Sequence, residues 1–371
     1  MNSDRNISIS ISTVLLLIVG FFAMLMLWQL RSLLVLIMIS VVLAASIAPI
    51  VNWAETMQVP RWIAVLIIYL TLIAGVTGLV FIIGPPVFNQ IEQLLGQLPL
   101  FSESISNIVQ DLTSSLSENP PEWIERIFDT KSVTSWVIRS SQQLLLRSYS
   151  ITKGVLGAVV SLILALFISG YMVADSHTLI KSLVQLFPQP WNQRLNEQVI
   201  PVSLRMGGYL RGRILVSAIL GVATTAGLSL LGLQDFSLGL GAIAAVTNLV
   251  PFIGPILGAI PALIVAIAQG GFLFLWVLIL YYIIQNVETY LLDPFLVGSS
   301  VGVHPLYQLL SVLVGIQLLG IIGALIVPPW FAGGAALVDN LYLKPKLKAE
   351  REEAIAAKTK DELSSKPAAI T

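Results

Sequence analysis

Asn248-Leu-Val-Pro-Phe-Ile-Gly-Pro-Ile-Leu-Gly-Ala-Ile-Pro261 lies deep in an apolar region, yet it holds Pro251, Pro255 and Pro261 with Gly254 and Gly258 between them. A proline lacks an N–H, and its ring crowds the carbonyl four residues back, so a regular helix cannot run through undisturbed. In a bilayer each orphaned backbone group is costly unless protein or water satisfies it. The stretch is therefore expected to pack inside protein or to line a cavity. Discontinuous helices of this kind build the substrate sites of many secondary transporters. A kinked helix whose glycines only permit close packing is the simpler alternative.

The surroundings set the class. Hydrophobic residues make up 56% of the 371 and charged residues 11%, against roughly 25% charged in soluble domains. Several runs of about 20 apolar residues follow one another, the length of a membrane helix. Twenty basic residues balance twenty acidic ones, so no nucleic-acid partner is implied. There is no cysteine, and His177 and His304 are the only imidazoles. Thiol chemistry is excluded and no metal cluster is expected. No hydrolase, kinase, P-loop or dinucleotide motif occurs, so neither an enzyme nor a bound cofactor is expected.

The expected fold is an all-α polytopic membrane protein. It has about six full spans plus two interrupted or re-entrant hairpins, with eight spans as the alternative, and a helical extramembrane insert. The spans are 11–28, 33–51, 62–84, 153–174, 214–233 and 272–292. Gln29 and Arg31 interrupt the first pair, and Gly84-Pro85-Pro86 ends the third. Residues 1–86 form the N-terminal membrane helices, and 87–150 the polar, serine-rich insert. In the insert, Ile91, Leu94, Leu95 and Leu98, then Ile105, Ile108, Val109 and Leu112, recur at helical spacing. Residues 151–213 comprise a span ending at Asp175 and a basic interfacial segment, where Pro188, Pro190, Trp191 and Pro201 suggest short helices. Residues 214–340 form the core with two interrupted blocks, and 341–371 a tail that is helical at first.

Basic residues orient the chain. Lys181, Arg194, Arg205, Arg211 and Arg213 crowd one connection, and Lys344, Lys346, Lys348 and Arg351 crowd the tail. Both belong in the cytoplasm. Counting spans puts the N-terminus there too, and 87–150 outside. Arg211 and Arg213 read as topology anchors bordering the fifth span on its cytoplasmic side, with a mouth for anions as the alternative.

The interrupted blocks resemble each other. Asn248-Leu-Val-Pro-Phe-Ile-Gly254 aligns with Gln317-Leu-Leu-Gly-Ile-Ile-Gly323: amide, Leu, apolar, breaker, apolar, Ile, Gly. Corresponding broken segments in two halves point to a transporter binding site. The substrate-pathway candidates are accordingly Asn248, Pro251, Gly254, Pro255 and Gly258, with Gln317, Gly320 and Gly323. If both blocks are hairpins, their tips fall at 248–255 and 317–324. Ionisable groups within apolar blocks are functional suspects. Glu288 is the first candidate for ion coupling, with Asp293 and Gln285; Gln285 shares a helix face with Glu288. Asp293-Pro294 can also cap or terminate its helix, and His304-Pro305 reads as an interfacial turn.

Several motifs now line up. Tyr209-Leu-Arg-Gly212, the stretch 248–261, Gln285-Asn-Val-Glu288, Asp293-Pro-Phe-Leu-Val-Gly298, Gly302-Val-His-Pro305 and Gly320-Ile-Ile-Gly323 with Pro328 resemble, in order, the autoinducer-2 exporter family of permeases. The resemblance implies a multi-span inner-membrane transporter. Some members are similar to exporters of the quorum signal and others to sodium–proton antiporters, so substrate does not transfer with the family. Where members often carry a lysine after Glu288, this chain has Phe295 and Leu296. The expected function is a secondary exporter of a small solute or an ion-coupled antiporter; a passive channel or a non-transporting scaffold is the alternative. The expected partners are the lipid bilayer, the solute, protons or sodium, and further copies of the chain, since glycine-rich spans favour association.

Overall fold

A computed structural model describes residues 11–116, 148–298 and 304–365 of the chain. No strand occurs among the described residues. Helices alone satisfy every backbone group of an apolar segment without help from water. The order is α1 (Ile11–Gln29), α2 (Arg31–Thr56), α3 (Arg61–Leu116), α4 (Ser148–Ala174), α5 (Ser176–Val184), α6 (Trp191–Leu230), α7 (Gln234–Thr247), α8 (Ile253–Gln269) and α9 (Leu273–Val287). A π-helical continuation, Glu288–Gly298, prolongs α9; α10 (Pro305–Val338), a short π segment (Asp339–Leu343) and α11 (Lys344–Ser365) follow. Among the described residues, five helices are long and apolar enough to cross a membrane, or six if the pair α4–α5, bent by 81°, counts as one.

The stretch 248–261 forms the tip and much of the second arm of a helical hairpin. Helix α7 has 14 residues and α8 has 17, about 21 and 25 Å at 1.5 Å per residue, short of a hydrocarbon core of about 30 Å. Gly254 lies against the backbone of Thr247 and Asn248, and Gly258 lies against Ala244 and Thr247. Partner numbers fall as residue numbers rise, so the two arms run antiparallel. The tip is a three-residue turn in which the Ile253 N–H donates to the Pro251 carbonyl at 2.7 Å. Phe252, at its centre, has φ +65°, a conformation rarely open to a residue with a Cβ.

The second block folds in the same way. Gly320 has φ +67° and ψ −151° within α10, a region essentially confined to glycine. Gly315 and Gly323 press against each other's carbonyls. In a straight helix those residues would stand about 12 Å apart, so the chain reverses at Gly320. The aligned breakers, Pro251 and Gly320, thus occupy the two tips.

Helix α6 is the spine, in contact with α2, α7, α10 and the π segment. Close approach explains its glycines: a Cβ on Gly207 would strike the Ala45 carbonyl, and one on Gly212 the Leu296 carbonyl. Pro49 has no N–H for Ala45, the residue four before it, which leaves that carbonyl free to meet Gly207. An apolar core of Leu94, Leu228, Leu233, Phe236, Leu240, Val265 and Val277 ties the open end of the first hairpin to α3, α6 and α9. Arg61 closes the joint between α4 and α5. It donates to the Val173 carbonyl at 2.8 Å, the Ser176 hydroxyl at 3.0 Å, Asn52 at 3.1 Å and Glu55 at 2.6 Å.

Four sequence expectations change. Gly84-Pro85-Pro86 does not break the helix, because α3 continues to Leu116. The carbonyls freed by the two prolines belong to Phe81 and Ile82, whose side chains are exposed rather than packed. The insert therefore begins as an extension of α3, and it docks on the first hairpin. The Gly239 N–H donates to Gln90 at 2.7 Å, and Leu94 enters the core. Residues 117–147 of the insert lie outside the described residues. Likewise, Pro201 falls inside α6, which runs unbroken from Trp191 rather than starting near Ile214; the carbonyl it frees is that of exposed Glu197. Asp293-Pro294 neither caps nor terminates a helix, since the π segment carries on to Gly298. The interruption at Gln29 and Arg31 shrinks to one residue, Leu30, with helical hydrogen bonds on either side.

Candidate functional site

Three elements converge on one guanidinium. Arg213, on α6, is 1% exposed. Its NH1 donates to Glu288 Oε1 at 2.9 Å and to Asp293 Oδ1 at 3.4 Å, and its NH2 donates to Asn248 Oδ1 at 3.3 Å. The Asn248 amide in turn donates to Glu288 Oε1 at 3.1 Å. Asn248 is the residue after α7, where the first hairpin opens into its tip. The amide accepts from the cation and donates to the anion, which fixes its orientation. A buried ion pair of this kind is costly to break, about 3–5 kcal/mol when one partner is removed, because the other charge is stranded.

The π-helix supplies the second carboxylate. Residues five apart on an α-helix point about 140° apart, given 3.6 residues per turn. The wider i to i+5 ring brings them onto one face. Glu288 opens the π segment and Asp293 is five residues on, so both reach Arg213. Pro294, next in line, has no N–H to tighten the turn back.

The carboxylates are not equivalent. The Glu288 side chain is 3% exposed and the Asp293 side chain 36%. One guanidinium faces two carboxylates, so the cluster carries one formal negative charge in excess, and that charge sits on the accessible side. Arg213 Nε and Ser217 Oγ, one turn apart on α6, are buried without a partner among the described residues.

Arg213 is therefore no topology anchor; it is the centre of the site. Of the residues singled out from sequence, Asn248, Glu288 and Asp293 meet around it. Gln285 does not, since it bonds to Thr289 at 3.3 Å. Pro251 is buried at the first tip and Pro255 half-buried just beyond it. Gly254 and Gly258 pack the arms of the first hairpin, and Gly323 those of the second. Gln317 and Gly320 are exposed at the second tip. The amide of the second hairpin that reaches the centre is Gln308, whose Nε2 donates to the Tyr209 hydroxyl at 3.5 Å. Tyr209 is buried one turn before Arg213. His304 Nδ1 accepts from the Leu306 N–H at 3.2 Å and caps α10, as its reading as a turn residue implied.

Two folded-back helical pairs around a buried charge cluster define an all-α polytopic membrane protein with a polar centre. The family model described as AI-2E family transporter matches residues 13–343, and the chain belongs to that family. "Putative transport protein YrrI" of Bacillus subtilis is 29% identical over 321 residues, 85% of this chain and 90% of that protein. "Putative transport protein YueF" of the same organism is 27% identical over 309 residues, 81% and 82% of the two chains. "Putative transport protein YhhT" of Escherichia coli K12 is 24% identical over 305 residues, 79% and 80%. The chain is a membrane transporter, and the matched region takes in both hairpins, the cluster and the insert.

Proposed function

We propose that the chain is a secondary transporter of a small solute, an exporter or an ion-coupled antiporter, with the Arg213 cluster on its pathway between two re-entrant hairpins. The observation that carries this is the imbalance of one buried cation against two carboxylates. A fixed pair, Arg213 and Glu288, holds the first hairpin to α6 and the π segment. Asp293, half-open and short of a partner of its own, is the group that takes up and releases a proton or sodium ion. The coupling role moves accordingly from Glu288 to Asp293. The unpartnered donors at Arg213 Nε and Ser217 Oγ suit an oxygen of the solute. In this reading the protein lies in the plasma membrane with both termini in the cytoplasm.

Proteoliposomes provide the test. Asp293→Asn keeps the shape and removes titration. Ion-driven accumulation of solute should fall at least tenfold, while solute-for-solute exchange, which needs no net ion movement, should persist. Unchanged gradient-driven accumulation would remove Asp293 from the mechanism. Solute flux in the unmutated protein that never exceeds the passive rate would replace the carrier with a channel.

A further inference from the structure

Four arginines lie along α6; Arg194 sits over the Trp191 ring, and two of the other three have carboxylate partners. Arg205 pairs with Asp339 at 2.8 Å, and Arg213 pairs with Glu288 and Asp293. Arg211 has none among the described residues. Its NH1 donates to the Ser46 carbonyl at 2.6 Å, which anchors the guanidinium and leaves other N–H donors free. Glu55, about two and a half turns beyond Ser46 along α2, is already held by Arg61 at 2.6 Å. Arg211 borders an open cleft of about 290 Å³ lined by Pro49, Ile50 and Trp53. Ile50 and Trp53 are exposed, as residues facing lipid are.

A cation fixed against a membrane helix without a carboxylate calls for an external anion. The walls say which kind. A soluble anion is best held by several polar donors, whereas this cleft offers one guanidinium, one indole and an aliphatic floor. We propose that the cleft is a binding site for an anionic phospholipid, with its phosphate on Arg211, its headgroup region beside Trp53 and an acyl chain along Pro49 and Ile50. Tryptophan favours the headgroup level of a bilayer, and basic pockets between membrane helices take anionic headgroups. The fork of donors on arginine matches a phosphate's oxygens. The site shares no residue with the Arg213 cluster, so it stands or falls apart from the transport reading.

The test uses the full-length protein in detergent, with bound lipid counted by native mass spectrometry and thermal unfolding followed in parallel. Phosphatidylglycerol should bind and raise the unfolding midpoint, and phosphatidylcholine should do neither. Arg211→Gln should weaken phosphatidylglycerol binding about tenfold, the scale of one lost charge-assisted contact. Arg194→Gln, a basic residue on the same helix beside Trp191, should leave it unchanged. Should Arg211→Gln fold poorly, Trp53→Ser provides a second route and should also weaken binding. Equal binding by both lipids, or retention of phosphatidylglycerol by Arg211→Gln, would overturn the proposal. Displacement of the lipid by millimolar inorganic phosphate would do so too, by assigning the cleft to a soluble anion. A change in the number of chains per particle with lipid binding intact would assign the face to a second copy.

Discussion

Removing the charge of Glu288 leaves Arg213 buried beside a single half-exposed carboxylate. Glu288→Gln should therefore lower stability by about 3 kcal/mol, read as a fall in the unfolding midpoint in detergent. Asp293→Asn, at a site more than a third exposed, should cost under about 1 kcal/mol. Replacing both members of the fixed pair, Arg213→Leu with Glu288→Leu, leaves no fully buried charge, only the half-exposed Asp293 and the Asn248 amide without their partners, and should recover part of the stability lost by Glu288→Gln. A double variant less stable than Glu288→Gln would show that the pair is not the main interaction. Asn248, Glu288 and Asp293 were legible in the sequence because polar groups within apolar blocks are conspicuous. Arg213 was not, since it stands next to Arg211 at the edge of an apolar run, where basic residues usually mark the interface. What hid its position was the length of α6: the helix starts at Trp191, so Arg213 lies about six turns inside it. The missing signal was charge balance, because two carboxylates among apolar segments require a cation.

The hairpins show how far element-level reading reaches. Pro251 and Gly320 align as breakers in the internal repeat, and both stand at reversal points in the structure. Breakers act through the local backbone, and that is visible in a sequence. The π segment was not visible, because its widened turn follows from which partners its side chains find across the fold. The prolines that failed to break α3 and α6 sit where the freed carbonyls are not packed against other helices, and burial is a property of the whole chain. The tips make a contrast that can be measured. Phe252→Gly should stabilise the fold by about 1 kcal/mol by relieving a positive φ, whereas Gly320→Ala should destabilise it by about 1–3 kcal/mol by creating one. Thermal unfolding of the two variants in parallel should show shifts of opposite sign. The same sign in both would mean that the two tips are not equivalent.

At the scale of the molecule, the proposed topology, with the two hairpins entering from opposite sides, would place His304 and the tail on the same side of the membrane. The chain has no cysteine, so single cysteines report cleanly. His304→Cys and Arg351→Cys should both resist an impermeant thiol reagent added outside intact cells, and both should react once the membrane is opened. Labelling of His304→Cys from outside would favour eight full spans. Helix α3 has a further consequence. Its 56 residues amount to about 84 Å of helix, nearly twice the full thickness of a bilayer with its headgroups. Gln90, which grips the first hairpin, lies near the middle of that length, and Leu116 lies about 39 Å further on. Such a rod would act as a lever. A tilt of a few degrees about Gln90 would carry the far end by about 2–3 Å, so a small movement of the hairpin would be felt well beyond the lipid.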